Sequence, residues 1–396
     1  MVATKRRAVL GAALLAALFG SQHASAQSQH PLDVHSKAEF SAYTDSDAVT
    51  VFTPAAAASV DDPLGGVSVS GGYLLDIVSA ASVDIVSTAS PNWHELRQAA
   101  NLSGQYKPQD LGVRLKSALS YEPDYLSISG GASILADFDE KNLSLVAGYS
   151  YGHDTAGRTG TPFSQYSLVL QRHALNASLG MLLNRSTVFT VTTDCVLEAG
   201  RQEKPYRYLP LFEPATAAEV PRGAAVDLVN RLRLPGRIAE QVPETRQRFA
   251  LSGKLAQRGK STTLLLDQRL YSDSWALLAT TTDLRWVVDA SQRLFIWPHL
   301  RTHFQSGVSF WRRTYLAELG DGSLSVPRYR TGNRELSPLW SQTVGGGARY
   351  DLGGSDPEAW ALTLELEGTY TAYRDALYIR DRWAAFGALE LDMRFR

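Results

Sequence analysis

The stretch LSISGGASILADF (residues 126–138), followed after the turn DEK (139–141) by NLSLVAGYSY (142–151), decides the fold. In the first segment Leu126, Ile128, Ala132, Ile134 and Ala136 share one parity, and Ser127, Ser129, Gly131 and Ser133 share the other. In the second, Leu143, Leu145, Ala147, Tyr149 and Tyr151 alternate with Asn142, Ser144, Gly148 and Ser150. Successive side chains of a strand point to opposite faces, so each segment reads as a strand with one apolar face and one small, polar face. The short polar turn between them makes the pair an antiparallel hairpin.

The same alternation recurs along the chain. Leu278, Leu284, Trp286 and Val288 oppose Thr281, Asp283 and Arg285; Trp360, Leu362, Leu364, Leu366 and Tyr370 oppose Thr363, Glu365, Glu367 and Thr369. In residues 294–305, Leu294, Ile296, Leu300 and Phe304 oppose Trp297, His299, Arg301, His303 and Gln305. A soluble sandwich alternates too, but these runs are longer than soluble strands and suit a tilted membrane crossing. Tyr73, Trp93, Tyr106, Tyr121, Tyr149, Tyr151, Trp286, Trp340, Tyr350, Trp360, Tyr370 and Trp383 recur near strand ends, as interfacial girdles require.

Connections alternate in length. Short turns fall near 61–63, 107–110, 138–141, 182–186, 258–260, 290–292 and 353–357; longer connections fall near 44–47, 79–93, 121–124, 154–162, 202–245, 272–275, 317–335 and 374–381. The expectation is an all-β, transmembrane, antiparallel up-and-down β-barrel of about sixteen strands over residues 37–396, with short turns and both termini in the periplasm. The first strand is expected to be short (37–43), and the strand within 163–181 to lose its parity around Arg172. The last strand, Leu389, Leu391, Met393 and Phe395 against Glu390, Asp392 and Arg394, looks like the C-terminal signal of the barrel-assembly machinery, with Arg396 as a departure.

Lys5, Arg6 and Arg7, the apolar run Ala8 to Phe19 and Ala24-Ser25-Ala26 predict a cleaved signal peptide over 1–26, a linker over 27–36, and export to a Gram-negative outer membrane. Outer-membrane lipid is the expected surroundings. Removing that peptide takes away three cations and no acid, so the mature chain carries no basic footprint and nucleic acid is not an expected partner. Cys195 is the sole cysteine, which excludes an intrachain disulfide and a Cys-cluster metal site; its apolar parity with Phe189, Val191 and Leu197 turns it to lipid or to a neighbouring side chain.

From Tyr43 onward the stretches YTDSDAVTVFTP (43–54), GYLLDIVSAASVDIVSTAS (72–90), YGHD (151–154), PYRYLP (205–210), PETRQRFAL (243–251) and RLYSDSW (269–275) resemble a family of bacterial outer-membrane proteins, domain of unknown function 3570. The resemblance implies an outer-membrane barrel and brings no catalytic residues. It also suggests an envelope lipoprotein as a partner, in an assembly for secretion or for redox or flavin maturation. The oligomeric state is left open.

Candidate chemistry is sparse. Asp45, Asp47, Asp76, Asp84, His153 and Asp154 all fall at the outer end in this topology, and oxygen ligands in that number suit calcium; the bland alternative is turn chemistry, which Asp favours. His299 and His303 stand four apart on one strand face, roughly 13 Å, too far for one ion. No strand-to-helix nucleophile elbow is predicted, since the G-x-S-x-G match at Gly148–Gly152 falls inside an alternating strand, and neither Arg158-Thr159-Gly160 nor Gly345-Gly346-Gly347 continues into Gly-Lys-Ser/Thr, so no enzyme is predicted. The lumen is the stronger clue. Glu95, Arg97, Arg114, Lys116, Asp267, Arg269, Asp283, Arg285, Arg301, Arg349, Glu365, Glu367, Glu390, Asp392 and Arg394, with His299 and His303, are expected to line it. Their charges could face a hydrated channel or pair across the bore and close it. The 202–245 connection, with Pro205, Pro210, Pro214, Pro221, Pro235 and Pro243 and a short helix near 223–232, is the expected constriction or lid.

Overall fold

The computed structural model describes residues 32–80, 93–320, 323–353 and 360–395; the expected signal peptide and Asp84 lie outside them. Sixteen long strands, joined to sequential neighbours by antiparallel hairpins, close into one barrel. They are β1 (Asp33–Asp45), β2 (Val49–Asp62), β3 (Val67–Ala80), β4 (Trp93–Tyr106), β5 (Leu111–Glu122), β6 (Tyr125–Phe138), β7 (Leu143–Ala156), β8 (Leu168–Asn184), β9 (Thr187–Gly200), β13 (Thr245–Arg258), β14 (Thr262–Asp273), β15 (Leu278–Asp289), β16 (Leu294–Gln305), β20 (Leu339–Asp351), β21 (Trp360–Tyr373) and β22 (Asp381–Phe395). The barrel closes by β1 pairing with β22 from Val34↔Phe395 to Asp45↔Ala384, so the final strand has no free edge. Followed strand to strand once around, the register climbs about sixteen residues before it returns to β1, the stagger that tilts the strands of a closed barrel.

The strands form because each sequence presents period-two polarity to two different solvents. On the hairpin that opened the reading, Ile128, Ile134, Tyr149 and Tyr151 are exposed on the outer face, while Ser133 is buried on the inner one. Elsewhere the outer parity exposes Leu115 at 63%, Leu366 at 59% and Leu389 at 43%. An apolar surface this continuous is a lipid-facing belt. Near the long-loop end Phe304, Trp340, Tyr370 and Trp383 contact one another across four adjacent strands, with centroids 6.2, 5.9 and 4.6 Å apart; Trp360 and Phe395 pair at the short-turn end at 6.5 Å. These are the two girdles. Tyr73 departs from that reading: it sits mid-strand and its hydroxyl bonds Gln98 at 3.0 Å.

Three expectations change. β1 starts at Asp33 and runs 13 residues, because its pairing with β22 reaches almost to the C-terminus and takes in part of the expected linker. β8 starts at Leu168 and keeps its parity: Arg172 points inward opposite Glu198, while His173 turns outward and bonds the Tyr149 hydroxyl at 2.8 Å. The second long connection spans 306–338, wider than the 317–335 expected.

Parity carries an expected result. Leu115→Arg, on the lipid face of β5, destabilises the barrel by about 2–4 kcal/mol, whereas Lys116→Leu, one residue on and facing the lumen, costs little. Urea unfolding in lipid vesicles measures both.

Candidate functional site

The inner wall is built by the other parity. Register places Arg97, Arg114, Lys116, Asp267, Arg269, Asp283, Arg285, His299, Arg301, His303, Arg349, Glu365 and Glu367 on one face, with Glu95, Glu390, Asp392 and Arg394. Among the described residues, every inner-face ion pair joins strands at most three places apart in the wall. Arg97 meets Asp76 (3.4 Å), Arg172 meets Asp154 (2.8 Å), Arg269 meets Asp194 (3.1 Å) and Lys37 meets Glu390 (3.0 Å). Sixteen strands about 4.8 Å apart and tilted by about 40° hold opposite backbones roughly 30 Å apart, more than two facing side chains fill. Among the described residues the charges therefore brace the wall and do not cross the bore.

The triple glycine explains how two of these braces lie flat. His299, only 5% exposed, faces Asp283 Oδ2 through Nε2 (3.0 Å) and Glu367 Oε1 through Nδ1 (2.6 Å). Beside it Arg285 Nη1 meets Glu365 at 3.3 Å. Both links cross β20 at its inward glycines, Gly345 and Gly347: a Cβ on Gly345 would strike Glu367, and one on Gly347 would strike the Trp297 indole. His303 instead bonds Thr281 (2.7 Å) and Gln305 (3.2 Å), so the two histidines serve separate networks. Gly347→Val is expected to expel Trp297 from the wall and destabilise by about 1–3 kcal/mol, read as a lower midpoint of unfolding and a blue-shifted or quenched fluorescence component.

Lys116, Lys254 and Arg301 face the lumen without an ion-pair or hydrogen-bond partner among the described residues, and all three are exposed. The wall from β6 to β9 carries a patch of uncharged groups, Ser129, Ser133, Gly148, Ser150, Asn176 and Ser178, with Asp137, Asp154, Arg172, Asp194 and Glu198 around it. That side of the bore is the richer in hydroxyls, and the other the more densely charged.

Among the described residues the acidic calcium candidates do not converge. Asp45 accepts from the Asp47 and Val49 amides (2.9 and 3.0 Å) and the Tyr43 hydroxyl (2.9 Å), which is turn chemistry. Asp47 pairs with Arg334. Asp76 lies inside β3, not in the connection after it, and accepts from Thr53 at 2.5 Å. Asp154 points inward to Arg172 and Ser127, and His153 points to the opposite face of the wall. A different acidic trio escaped the reading: Glu95, Glu122 and Asp124 bring carboxylate oxygens within 4.8 Å of one another at the long-loop end. Glu95 and Glu122 lie near the ends of adjacent strands, so only the strand register, not spacing, could have found it.

The long connections fold together into a cap. The 201–244 connection holds β10 (Tyr208–Leu209), β11 (Leu211–Phe212), α1 (Pro214–Ala217), α2 (Val226–Leu232) and β12 (Ile238–Ala239); the 306–338 connection holds β17 (Tyr315–Leu316), β18 (Glu318–Gly320) and β19 (Ser323–Ser325). β11 pairs in parallel with β17 and locks the two connections together. Their core excludes water: Phe212, Val220 and Val229 are fully buried, as is Tyr373 at the end of β21, clustered with Trp311 and Leu336. The cap touches every described connection at this end. Arg334 reaches Asp47, the Tyr206 hydroxyl bonds Asp124 (2.7 Å) and Thr159 (3.3 Å), Ser309 N bonds Trp275 O (2.8 Å), and Gly223 N bonds Ala376 O (3.0 Å). Burial, helped by the Asp124 carboxylate, raises the Tyr206 hydroxyl above its ordinary value, so it stays protonated and able to donate. A cavity of about 640 Å³ opens beside the cap between Arg201, Glu240, Pro243, Arg328 and Tyr329.

Residues 170–345 match the family model described as a protein of unknown function, DUF3570. This bears out the family resemblance over β8 to β20; of the quoted stretches it contains PYRYLP, PETRQRFAL and RLYSDSW. No curated protein matches the chain. Among solved structures the chain is similar to the outer membrane protein opdK from Pseudomonas aeruginosa (8% identity, TM-score 0.43, covering 92% of this chain and 99% of that one). It is also similar to the siderophore receptor PirA from Pseudomonas aeruginosa (12% identity, TM-score 0.41, covering 86% and 56%). A mutant of the ferric enterobactin receptor PfeA from the same organism is a third (11% identity, TM-score 0.43, covering 85% and 53%). The chain spans little more than half the length of those receptors.

Proposed function

We propose that this outer-membrane barrel is a capped pore for small polar solutes, with the long connections outside the cell and the short turns in the periplasm. The observation that carries the reading is the arrangement of inner-wall charge along the wall, with no ion pair among the described residues bridging the bore, which supports a wide hydrated path richer in hydroxyls on one side. Lys116, Lys254 and Arg301 stand free to meet solutes, and the cap sets which ones reach them. A scaffold reading, in which the barrel does not conduct and works through an envelope lipoprotein, draws on one observation: the cap is tied to connections all round the mouth. Planar-bilayer recording separates the two. The pore reading expects discrete conductance steps from purified, folded protein; folded protein that gives no steps overturns it and leaves the scaffold.

A further inference from the structure

We infer that a niche in the inner wall beneath Trp297 is a binding site for an organic ammonium or guanidinium ion that carries an aromatic or aliphatic body. The inference deepens the pore reading and rests on it for access from water. Three rows of the register build the niche at mid-height: Trp297, Gly347, Glu365 and Ala388; Arg349, Thr363, Glu390 and Glu39; and Phe386 in the row above. The Trp297 ring lies over Gly347, and the small side chain at Ala388 leaves beside it a hollow of about 300 Å³, walled by Trp297 and Phe386. That is the low end of ligand-pocket size and suits a small solute. A second hollow of about 180 Å³ adjoins it and shares Glu39 and Glu390.

Charge selects the ligand class. Glu365 is held by Arg285 (3.3 Å) and Glu390 by Lys37 (3.0 Å), whereas half-buried Glu39, which lines both hollows, has no ion-pair or side-chain hydrogen-bond partner among the described residues. The one cation lining the niche, Arg349, turns its guanidinium to Asp351 (3.0 Å) and Asp392 (3.6 Å). Three carboxylates and two aromatic rings thus face a site whose only cation is engaged elsewhere. A carboxylate or phosphate solute meets repulsion there; an organic cation gains both an ion pair with Glu39 and contact with ring faces. The free cations Lys116, Lys254 and Arg301 lie outside the lining, so the niche is a local acidic station in a mixed bore.

The test uses the full-length protein with benzylammonium as probe, and benzoate and benzyl alcohol as controls. Two readouts run in parallel: interruption of single-channel current, and ligand-detected NMR binding to protein in detergent. Benzylammonium is expected to bind and to shorten open times, Glu39→Gln and Trp297→Leu to weaken it at least fivefold, and benzoate to do neither. Glu39→Gln removes no existing contact, so it keeps the test valid if Trp297→Leu fails to fold. Absence of benzylammonium binding, equal binding by benzoate, or full binding by Glu39→Gln overturns the inference even in a conducting channel. A protein that binds benzylammonium through Glu39 yet never conducts overturns the pore reading and upholds the site.

Discussion

Replacing residues 204–241 with a short Gly-Ser connection raises single-channel conductance several-fold while the barrel remains folded. The barrel does not need the cap for its pairing, since β9 and β13 are already joined from Ala199↔Thr245 down to Thr187↔Gln257. The cap is stabilised by its own core, with Phe212, Val220 and Val229 withdrawn from water, and by bonds to the rim at Asp124, Trp275 and Ala376. Excision therefore removes an obstruction at the mouth, and loop-closure entropy changes slowly with connection length, so the strands keep their register. A milder version, Val220→Asp, buries a charge in the same core and should loosen the cap in place. Conductance unchanged by both variants would mean that the cap stands clear of the path.

The second large effect is on stability. Arg246 and Asp273 form a pair at the mouth with side chains 9% and 0% exposed. Asp273 also accepts from the Tyr271 hydroxyl (2.9 Å) and the Trp275 and Leu277 amides (2.9 and 3.0 Å), and Arg246 stacks on the Trp275 ring at 4.2 Å. Arg246→Ala leaves a carboxylate in a fully dry position with its counter-charge gone. Removing one partner of such a pair costs about 3–5 kcal/mol. The expected result is a large drop in the urea midpoint with β13 to β15 losing protection first. A more exposed pair such as Arg313 and Asp375, with side chains 33% and 39% exposed, should give far less when removed.

How much was readable follows from physics specific to each part. Residues 126–151 announce the barrel because every strand divides lipid from water, and that division writes period two into the chain. The same pattern gives the strand number and places Arg97 or Glu365 on the inner face. It also places Cys195 on the outer one, beside Leu197. The start of β8 was hidden because residues 163–167 belong to a connection whose polarity imitates a strand end. The cap was legible only as a long, proline-rich stretch. Its pairing of Leu211 with Tyr315 joins positions a hundred residues apart and has no periodic trace. Gly345 to Gly347 showed only as a run that does not continue into a phosphate loop; what they accommodate, the Trp297 ring and the His299 link to Glu367, depends on which strands flank β20. Lumenal chemistry is of this second kind throughout, since alternation says that a residue faces inward and not which neighbour it meets.

The central claim is a wall with lipid on one side and open water on the other. Cysteine scanning of β6 from Ser127 to Phe138 in a Cys195→Ser background, with a membrane-impermeant maleimide applied to protein in vesicles, tests it most directly. The account predicts alternate labelling: positions 127, 129, 131 and 133 react, while positions 128, 130, 132 and 134 stay protected by lipid. Protection of both sets would mean a filled lumen, and reaction of both would mean that the barrel does not lie in the membrane.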